Sequence, residues 1–249
     1  MQKIELSVVT ITYNEIGNIG RLIDAINIIL KQNNLNGEII IVDDNSPDGT
    51  AGLIKEKMKK FDNIVLIERT EKLGIGSAYY TGISKASGDV VITMDADFSH
   101  NPDVLMDMYN EAKQGKVVSG SRYLTNLDFH TKWYRFVGTT ILNKWLKLLF
   151  RLGINDHTNG YLAVKKDTLI FLLEKMKRVN IFPFEKILYG VPIFTFAKKL
   201  NIPITEIQAK YIFRTEGVTK INTYDGCILL IENILYSFKI LKALRNLEF

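Results

Sequence analysis

One cysteine in 249 residues leaves no intrachain disulfide and no thiolate cluster for a metal, so Cys227 is expected to be a small core residue in a reducing compartment. Long apolar runs are also missing. A membrane-spanning helix needs roughly 18 or more uncharged residues, and the best attempt, Cys227 to Leu241, is interrupted by Glu232, Asn233 and Lys239. No secretory signal is expected, since Met1-Gln2-Lys3-Ile4-Glu5 runs straight into a strand-like segment. Internal repeats and low-complexity linkers are absent as well.

What is present describes an ordinary globular protein, with 47% hydrophobic and 24% charged residues. A single domain over 1–249 is expected, with a first part to residue 123 and a second from 124. Charge divides along similar lines. Residues 1–127 hold 13 Lys and Arg against 17 Asp and Glu, and residues 128–249 hold 19 against 10. A basic second part points to an anionic partner, such as phosphate, nucleic acid or an acidic membrane face. Nucleic acid is disfavoured, because no recognition motif accompanies the charge and the acidic first part would repel a phosphate backbone.

Strand-like runs at Leu6–Thr12, Glu38–Val42, Ile64–Ile67, Val90–Met94 and Val117–Ser119 alternate with helix-like stretches at Ile19–Lys31, Gly49–Lys60, Gly76–Lys85 and Val104–Gln114. That alternation predicts a parallel sheet with helices on its faces. Ser46 reads as an N-cap with Pro47 at the first helical position, Asn101-Pro102 repeats the arrangement, and Gly115 supplies a stop. Beyond Arg122 the pattern shifts to longer helices and few strands. Thr131 to Leu152 reads as one helix with Lys144, Lys147 and Arg151 on one face and Ile141, Trp145, Leu148 and Leu152 on the other. A last strand is expected over Ile204 to Phe213 and a closing helix over Gly226 to Leu244.

Two acidic pairs close two of the apolar runs: Asp43-Asp44 after Ile39–Val42, and Asp95-Ala96-Asp97 after Val90–Met94. In open α/β sheets ligands bind beyond the carboxyl ends of the strands, so both pairs would be presented on one edge. Mg²⁺ or Mn²⁺ takes hard oxygen ligands, one or two of them carboxylates, and fills the rest with water and phosphate oxygens. Two aspartates flanking one residue at a strand end suit a cation held over a diphosphate. Gly74 and Gly76 lack the ending of a triphosphate loop and the full dinucleotide fingerprint; they read equally as a tight strand-to-helix turn.

The blocks Thr12-Tyr13-Asn14-Glu15, Asp43 to Thr50, Lys72 to Tyr79, Asp95-Ala96-Asp97-Phe98-Ser99-His100 and Gly120-Ser121-Arg122-Tyr123 resemble, in order and spacing, the family 2 glycosyltransferases. The similarity is greatest to their polyprenyl-phosphate branch, the dolichyl-phosphate mannose synthases. It covers most of residues 6–123 and thins between Trp133 and Lys220. The resemblance implies an α/β fold of the GT-A type, with a mostly parallel central sheet, flanking helices and C-terminal amphipathic helices. It also implies transfer of a hexose from a nucleotide-sugar with inversion.

By the same resemblance the nucleotide-sugar site comprises Thr12, Tyr13, Glu15, Asp43, Asp44, Lys72, Gly74, Asp95 and Ala96. Tyr13 would stack on the base, and Glu15 and Asp43 would accept hydrogen bonds. Asp95, Asp97 and Ser99 would serve a divalent cation, Mg²⁺ or Mn²⁺. Arg122, Arg135, Thr139, Arg214 and Lys220 would surround the acceptor phosphate, with Asp97, Arg122 and Arg214 as catalytic groups. A guanidinium fork pairs two phosphate oxygens at once.

A phosphate acceptor, with a second pKa of roughly 6, attacks without a general base. A hydroxyl acceptor would need a carboxylate, for which Glu185 is the candidate. Mannose from GDP-mannose onto polyprenyl or dolichyl phosphate is favoured, with UDP-glucose as donor, or a hydroxyl-bearing glycan acceptor, as alternatives. The Gln-x-x-Arg-Trp motif of processive polymer synthesis is absent. The chain departs from the family at Ile11, commonly proline, and in Asp156 to Leu162, where relatives commonly read Asp-x-Thr-Ser-Gly-Phe-Arg, so that Leu162 removes a guanidinium. A peripheral position on the cytoplasmic face of a membrane is expected, through basic helices or a small membrane-protein subunit.

Overall fold

Strands that are apolar at nearly every position need a sheet covered on both faces, and the computed structural model contains one. It describes residues 3–122, 133–181, 189–209 and 223–246. In chain order the elements are β1 (Leu6–Thr12), α1 (Ile16–Gln32), β2 (Gly37–Asp43), α2 (Thr50–Met58), β3 (Ile64–Glu68), α3 (Ile75–Lys85) and β4 (Val90–Asp95). A 3-10 turn (Pro102–Val104), α4 (Leu105–Lys113), β5 (Val117–Ser121), α5 (Trp133–Phe150) and β6 (Leu162–Lys165) follow. Then come α6 (Lys166–Arg178), α7 (Gly190–Lys199), β7 (Ile204–Gln208) and α8 (Thr223–Arg245).

The seven strands lie in the order β3-β2-β1-β4-β6-β5-β7, and only β6 runs against its neighbours. From β1 the chain builds β2 and β3 to one side and then places β4 on the other. The topological switch point therefore falls between β1 and β4, where a ligand crevice is expected. The two cores match the two sheet faces. On one, α1 places Ile19, Leu22, Ile23, Ile26 and Leu30, at helical spacing, over Val8, Ile39 and Ile41. On the other, buried side chains of α3 and α5 to α8 cover Val9, Ile40 and Val91.

Several expectations are corrected. The α2 helix starts at Thr50, not Pro47: Gly49 is its N-cap with φ +92°, and the Ser46 hydroxyl is used by Asp43 instead. The Asn101-Pro102 start and the Gly115 stop, with φ +90°, are found as expected. In α5 the predicted faces do not hold. Ile141 and Leu148 are exposed beside Lys144 and Lys147, while Leu142, Leu146 and Phe150 turn to the core. Positions 141, 144 and 148 share one helical face, so charge and apolar surface are mixed there. The last strand is observed over Ile204–Gln208 and stops before Ala209, and 210–213 of the expected span lies outside the described residues.

Candidate functional site

Six strands point their carboxyl ends to one edge, and the strand-end acids predicted for the donor and the cation, Asp43, Asp44, Asp95 and Asp97, lie there. Register pairs Thr12 with Asp43 across β1 and β2, and Ile11 with Asp95 across β1 and β4. Thr12 donates its hydroxyl to Asp43 Oδ1 at 2.6 Å; the Ser46 hydroxyl reaches the same oxygen at 2.6 Å and the Ser46 N–H reaches Oδ2 at 2.9 Å. Asp43 is thereby fixed in orientation.

The rest of the Asp43–Thr50 block latches the β1–α1 and β2–α2 loops together. Ser46 accepts the Asn14 N–H at 3.0 Å, Thr50 accepts the Glu15 N–H at 3.0 Å, and Asp48 accepts the N–H groups of Ile16 and Thr50. Glu15 itself is buried and accepts the Asn18 amide at 2.9 Å. Tyr13 is half-buried with the Lys72 ammonium 4.3 Å from its ring centroid, so two predicted nucleotide residues meet. Gly74, with φ +93°, caps α3 as the tight turn.

Asp44 forms a buried ion pair with Arg69, whose guanidinium also donates to Ser77 Oγ at 2.8 Å and to the Gly74 carbonyl at 3.3 Å. Burial pushes the Asp44 carboxyl above its ordinary value, and Arg69 works against that shift by hydrogen bond and charge. Sequence reading passed over Arg69. Its signal is its place, one residue past the end of β3 on the same edge.

At the end of β4, Asp95 Oδ1 accepts the Tyr79 hydroxyl at 2.7 Å, and Asp97, buried, accepts the Ser99 N–H at 2.9 Å through Oδ1. Between them Ala96 is buried. Phe98 has φ +62°, a strained conformation for a bulky residue that costs on the order of 1–3 kcal/mol and concentrates at functional sites. His100 braces the turn. Its Nδ1 accepts the Asp95 N–H at 2.8 Å, so the ring proton sits on Nε2 and is donated to Asn159 Oδ1 at 2.5 Å. The Asn159 amide passes on to the Gly120 carbonyl at 2.5 Å, and Tyr161 stacks on His100 at 4.9 Å. A Cβ on Gly120 would stand 2.6 Å from the Tyr161 ring, so that close approach needs glycine.

Arg122, at the end of β5, is spent on Asp156. Its Nε and Nη2 reach Asp156 Oδ2 and Oδ1 at 2.7 and 3.0 Å, and Nη2 also reaches Thr158 Oγ1 at 2.9 Å. Asp156 is 0% exposed. Burial alone would raise its carboxyl, but the Arg122 charge and hydrogen bonds, with Thr158, hold it below its ordinary value. Glu206 of β7 accepts the N–H groups of Asn155 and Asp156 at 2.7 and 2.8 Å, fixing the loop from the far side. Leu162 begins β6 buried in the core beneath α3 and α5 to α8, so leucine at this departure from the family pattern extends that core.

His157 is 1% exposed and neither ring nitrogen has a partner, although its N–H donates to Asn143 of α5 at 2.8 Å. Burial lowers its pKa to about 4, with Asp156 opposing and Lys147 assisting. A lowered histidine leaves the unfolded chain binding the extra proton. Stability is therefore expected to be level above pH 6.5 and to fall between 6.5 and about 4, by roughly 3 kcal/mol. Melting curves of the native chain and His157→Leu across this range should converge in slope above it and diverge within it.

Thr139 is half-buried on α5, and Arg135 falls in its first turn, with a side chain outside the described residues. Arg214, Lys220 and Glu185, and the Cys227 side chain, also lie outside the described residues. No helix among the described residues is long and apolar enough to cross a membrane.

The sequence pattern of glycosyl transferase family 2 matches residues 7–168, most of the sheet and all of the strand-end acids. The chain belongs to glycosyl transferase family 2. Among its relatives in this family is the dolichol-phosphate mannosyltransferase of Pyrococcus furiosus, 33% identical over 86% of this chain; the match spans 60% of that protein's length. Another is the polyprenol monophosphomannose synthase of Mycolicibacterium smegmatis, 32% identical over 85% of this chain and 78% of that one. In three dimensions the family 2 domain resembles glucosyl-3-phosphoglycerate synthase of Mycobacterium tuberculosis, solved with Mn²⁺, UDP and phosphoglyceric acid. The TM-score is 0.67 at 18% identity, over 96% of this chain and 78% of that one. The likeness establishes the GT-A type of fold expected from the sequence.

Proposed function

We propose that this family 2 protein transfers a hexose, with mannose from GDP-mannose favoured, to a polyprenyl or dolichyl phosphate with inversion at the sugar carbon. The observation that carries the reading is the convergence of Thr12–Asp43 and Asp95–Asp97 at the β1/β4 switch point. The two mannosyl-phospholipid synthases among the relatives support the choice of donor sugar and acceptor. In this reading residues 1–123 hold the donor and 124–249 the acceptor, at the cytoplasmic face of a membrane.

The residues at the β4 end fit a divalent cation. Asp95, Asp97 and Ser99 offer only hard oxygen donors. Among the described residues no cluster of three His, Cys, Asp or Glu side chains could cage a metal alone, so Mg²⁺ or Mn²⁺ would share its coordination with the donor diphosphate. Such a cation supplies Lewis-acid neutralisation of the departing nucleoside diphosphate. Asp43, held by Thr12 and Ser46, and Tyr13 with Lys72 receive the nucleoside. In this reading Arg135, Arg214 and Lys220 would supply the positive charge on the acceptor side, Thr139 a hydroxyl donor, and Arg122, paired with Asp156, a guanidinium at its margin, and the ionised acceptor phosphate attacks without a protein base.

Labelled GDP-mannose and UDP-glucose, each incubated with membranes and the enzyme and followed by extraction of lipid-linked sugar, test the proposal; mannosyl lipid is the expected product. His100 and Asn159 hold the Asp95 backbone from outside the donor set, and outer partners of this kind typically alter metal affinity by about 10–100-fold. Asn159→Leu is therefore expected to weaken Mn²⁺ binding in the presence of GDP by about ten-fold, read by the paramagnetic signal of free Mn²⁺.

A further inference from the structure

Two buried tyrosines stand beside the end of β4, Tyr79 of α3 and Tyr189 at the N-cap of α7, with their rings 4.8 Å apart at a 41° tilt. A hydroxyl in a core needs a partner, and the two find different ones. Tyr189 meets Thr93 Oγ1 at 2.9 Å and the Gly160 carbonyl at 2.5 Å, both of them groups of the β4–β6 region that the Thr93 hydroxyl already joins at 2.8 Å. Tyr79 instead donates to Asp95 Oδ1 at 2.7 Å. The helix that carries Tyr79 is seated unusually deep: a Cβ on Gly82, three residues on, would stand 2.4 Å from Val9 Cγ1 of β1 and 3.2 Å from Val42 Cγ2 of β2. Glycine there lets α3 settle on the sheet and bring the Tyr79 hydroxyl under the strand end.

The two oxygens of Asp95 are thereby made unequal. Oδ1 is taken from the core side by Tyr79, yet the Asp95 side chain remains 42% exposed. Oδ2 accepts no hydrogen bond among the described residues and lies 3.7 Å from His100 Nε2, whose proton is committed to Asn159. We propose that Tyr79 is a positioning residue for Asp95, whose hydroxyl holds Oδ1 and leaves Oδ2 as the single oxygen offered to the cation and the donor. A carboxylate turns readily about its last torsion, so an unheld Asp95 would present either oxygen or both. The Tyr189 ring backs the Tyr79 ring, and through it α7 of the second part supports a donor site otherwise built from the first. His100 fixes the Asp95 backbone and Tyr79 its carboxylate, two independent holds on one residue. The proposal rests on the cation reading of the β4 end and deepens it.

The test is Mn²⁺ binding to the full chain in the presence of GDP, followed by the paramagnetic signal of free Mn²⁺, in Tyr79→Phe, which keeps the ring and deletes only the hydroxyl. Binding about ten-fold weaker than in the native chain is expected, with unchanged circular dichroism. Tyr109→Phe is the control, since this buried tyrosine donates to Glu5 at 3.3 Å, at the opposite end of β1, and should bind as the native chain does. A second pair of variants separates positioning from packing. In an Asp95→Ala background, Tyr79→Phe is expected to change Mn²⁺ affinity by less than about two-fold, because the carboxylate through which it acts is gone; a packing defect would weaken binding equally in both backgrounds. Native affinity in Tyr79→Phe, or equal losses in the two backgrounds, would overturn the positioning role and leave the cation reading standing. Mn²⁺ binding by the native chain that does not respond to GDP would remove the cation reading itself, and this proposal with it.

Discussion

Asp97→Asn is expected to reduce sugar transfer by on the order of a thousand-fold, since metal neutralisation of a leaving diphosphate contributes several kcal/mol and each ~1.4 kcal/mol is ten-fold in rate. The choice of asparagine follows from the structure. Asp97 is buried and its Oδ1 accepts the Ser99 N–H at 2.9 Å. An amide oxygen can keep that bond and the shape of the strained Phe98 turn while removing the charge. Asp97→Ala also loses the bond, with a further stability cost of about 1 kcal/mol. Matched activity losses in the two variants, with a lower melting temperature only for alanine, would separate ligation from turn geometry. Normal turnover in Asp97→Asn would remove the assigned role.

Arg122→Ala is expected to destabilise the fold by about 3–5 kcal/mol, because it strands the fully buried Asp156 carboxylate without its partner. Seen in sequence alone, Arg122 is a cation facing the acceptor, whose loss would chiefly weaken use of lipid phosphate. In the structure its Nε and Nη2 are engaged with Asp156 and Thr158. Replacing both partners by apolar residues of similar size, Arg122→Met with Asp156→Leu, should restore most of the stability, since no buried charge is then left unpaired. Denaturant midpoints measure this, and transfer by the restored double variant asks what the guanidinium does beyond its structural role. If it keeps normal acceptor KM and kcat, Arg122 serves the fold alone.

The first 122 residues were legible because their information is local. Apolar runs of three to seven residues, alternating with helix-like stretches, report β and α periods directly, and Asp43 and Asp95 end their strands where the sequence says they should. The antiparallel β6 was not legible. Leu162–Lys165 lies where the sequence pattern is mainly helical, outside the strand–helix alternation of the first part, and its place between β4 and β5 is set by pairing with strands far away in the chain. The same distance hid the side-chain network of the site. Arg69 meets Asp44 across 25 residues, His100 meets Asn159 across 59, and Arg122 meets Asp156 across 34. Motif reading marks Asp44 without Arg69, and it marks the blocks that hold His100, Arg122, Asp156 and Asn159 without pairing them, because such contacts exist only once the strands have brought their ends together.

Mn²⁺ binding by electron paramagnetic resonance, with and without GDP, tests most directly whether the β4 aspartates and a nucleoside diphosphate share a cation. The expected result is weak binding to the protein alone, strong enhancement by GDP, and loss of that enhancement in Asp97→Asn. Mn²⁺ binding that is indifferent to GDP, or undiminished in Asp97→Asn, would contradict it.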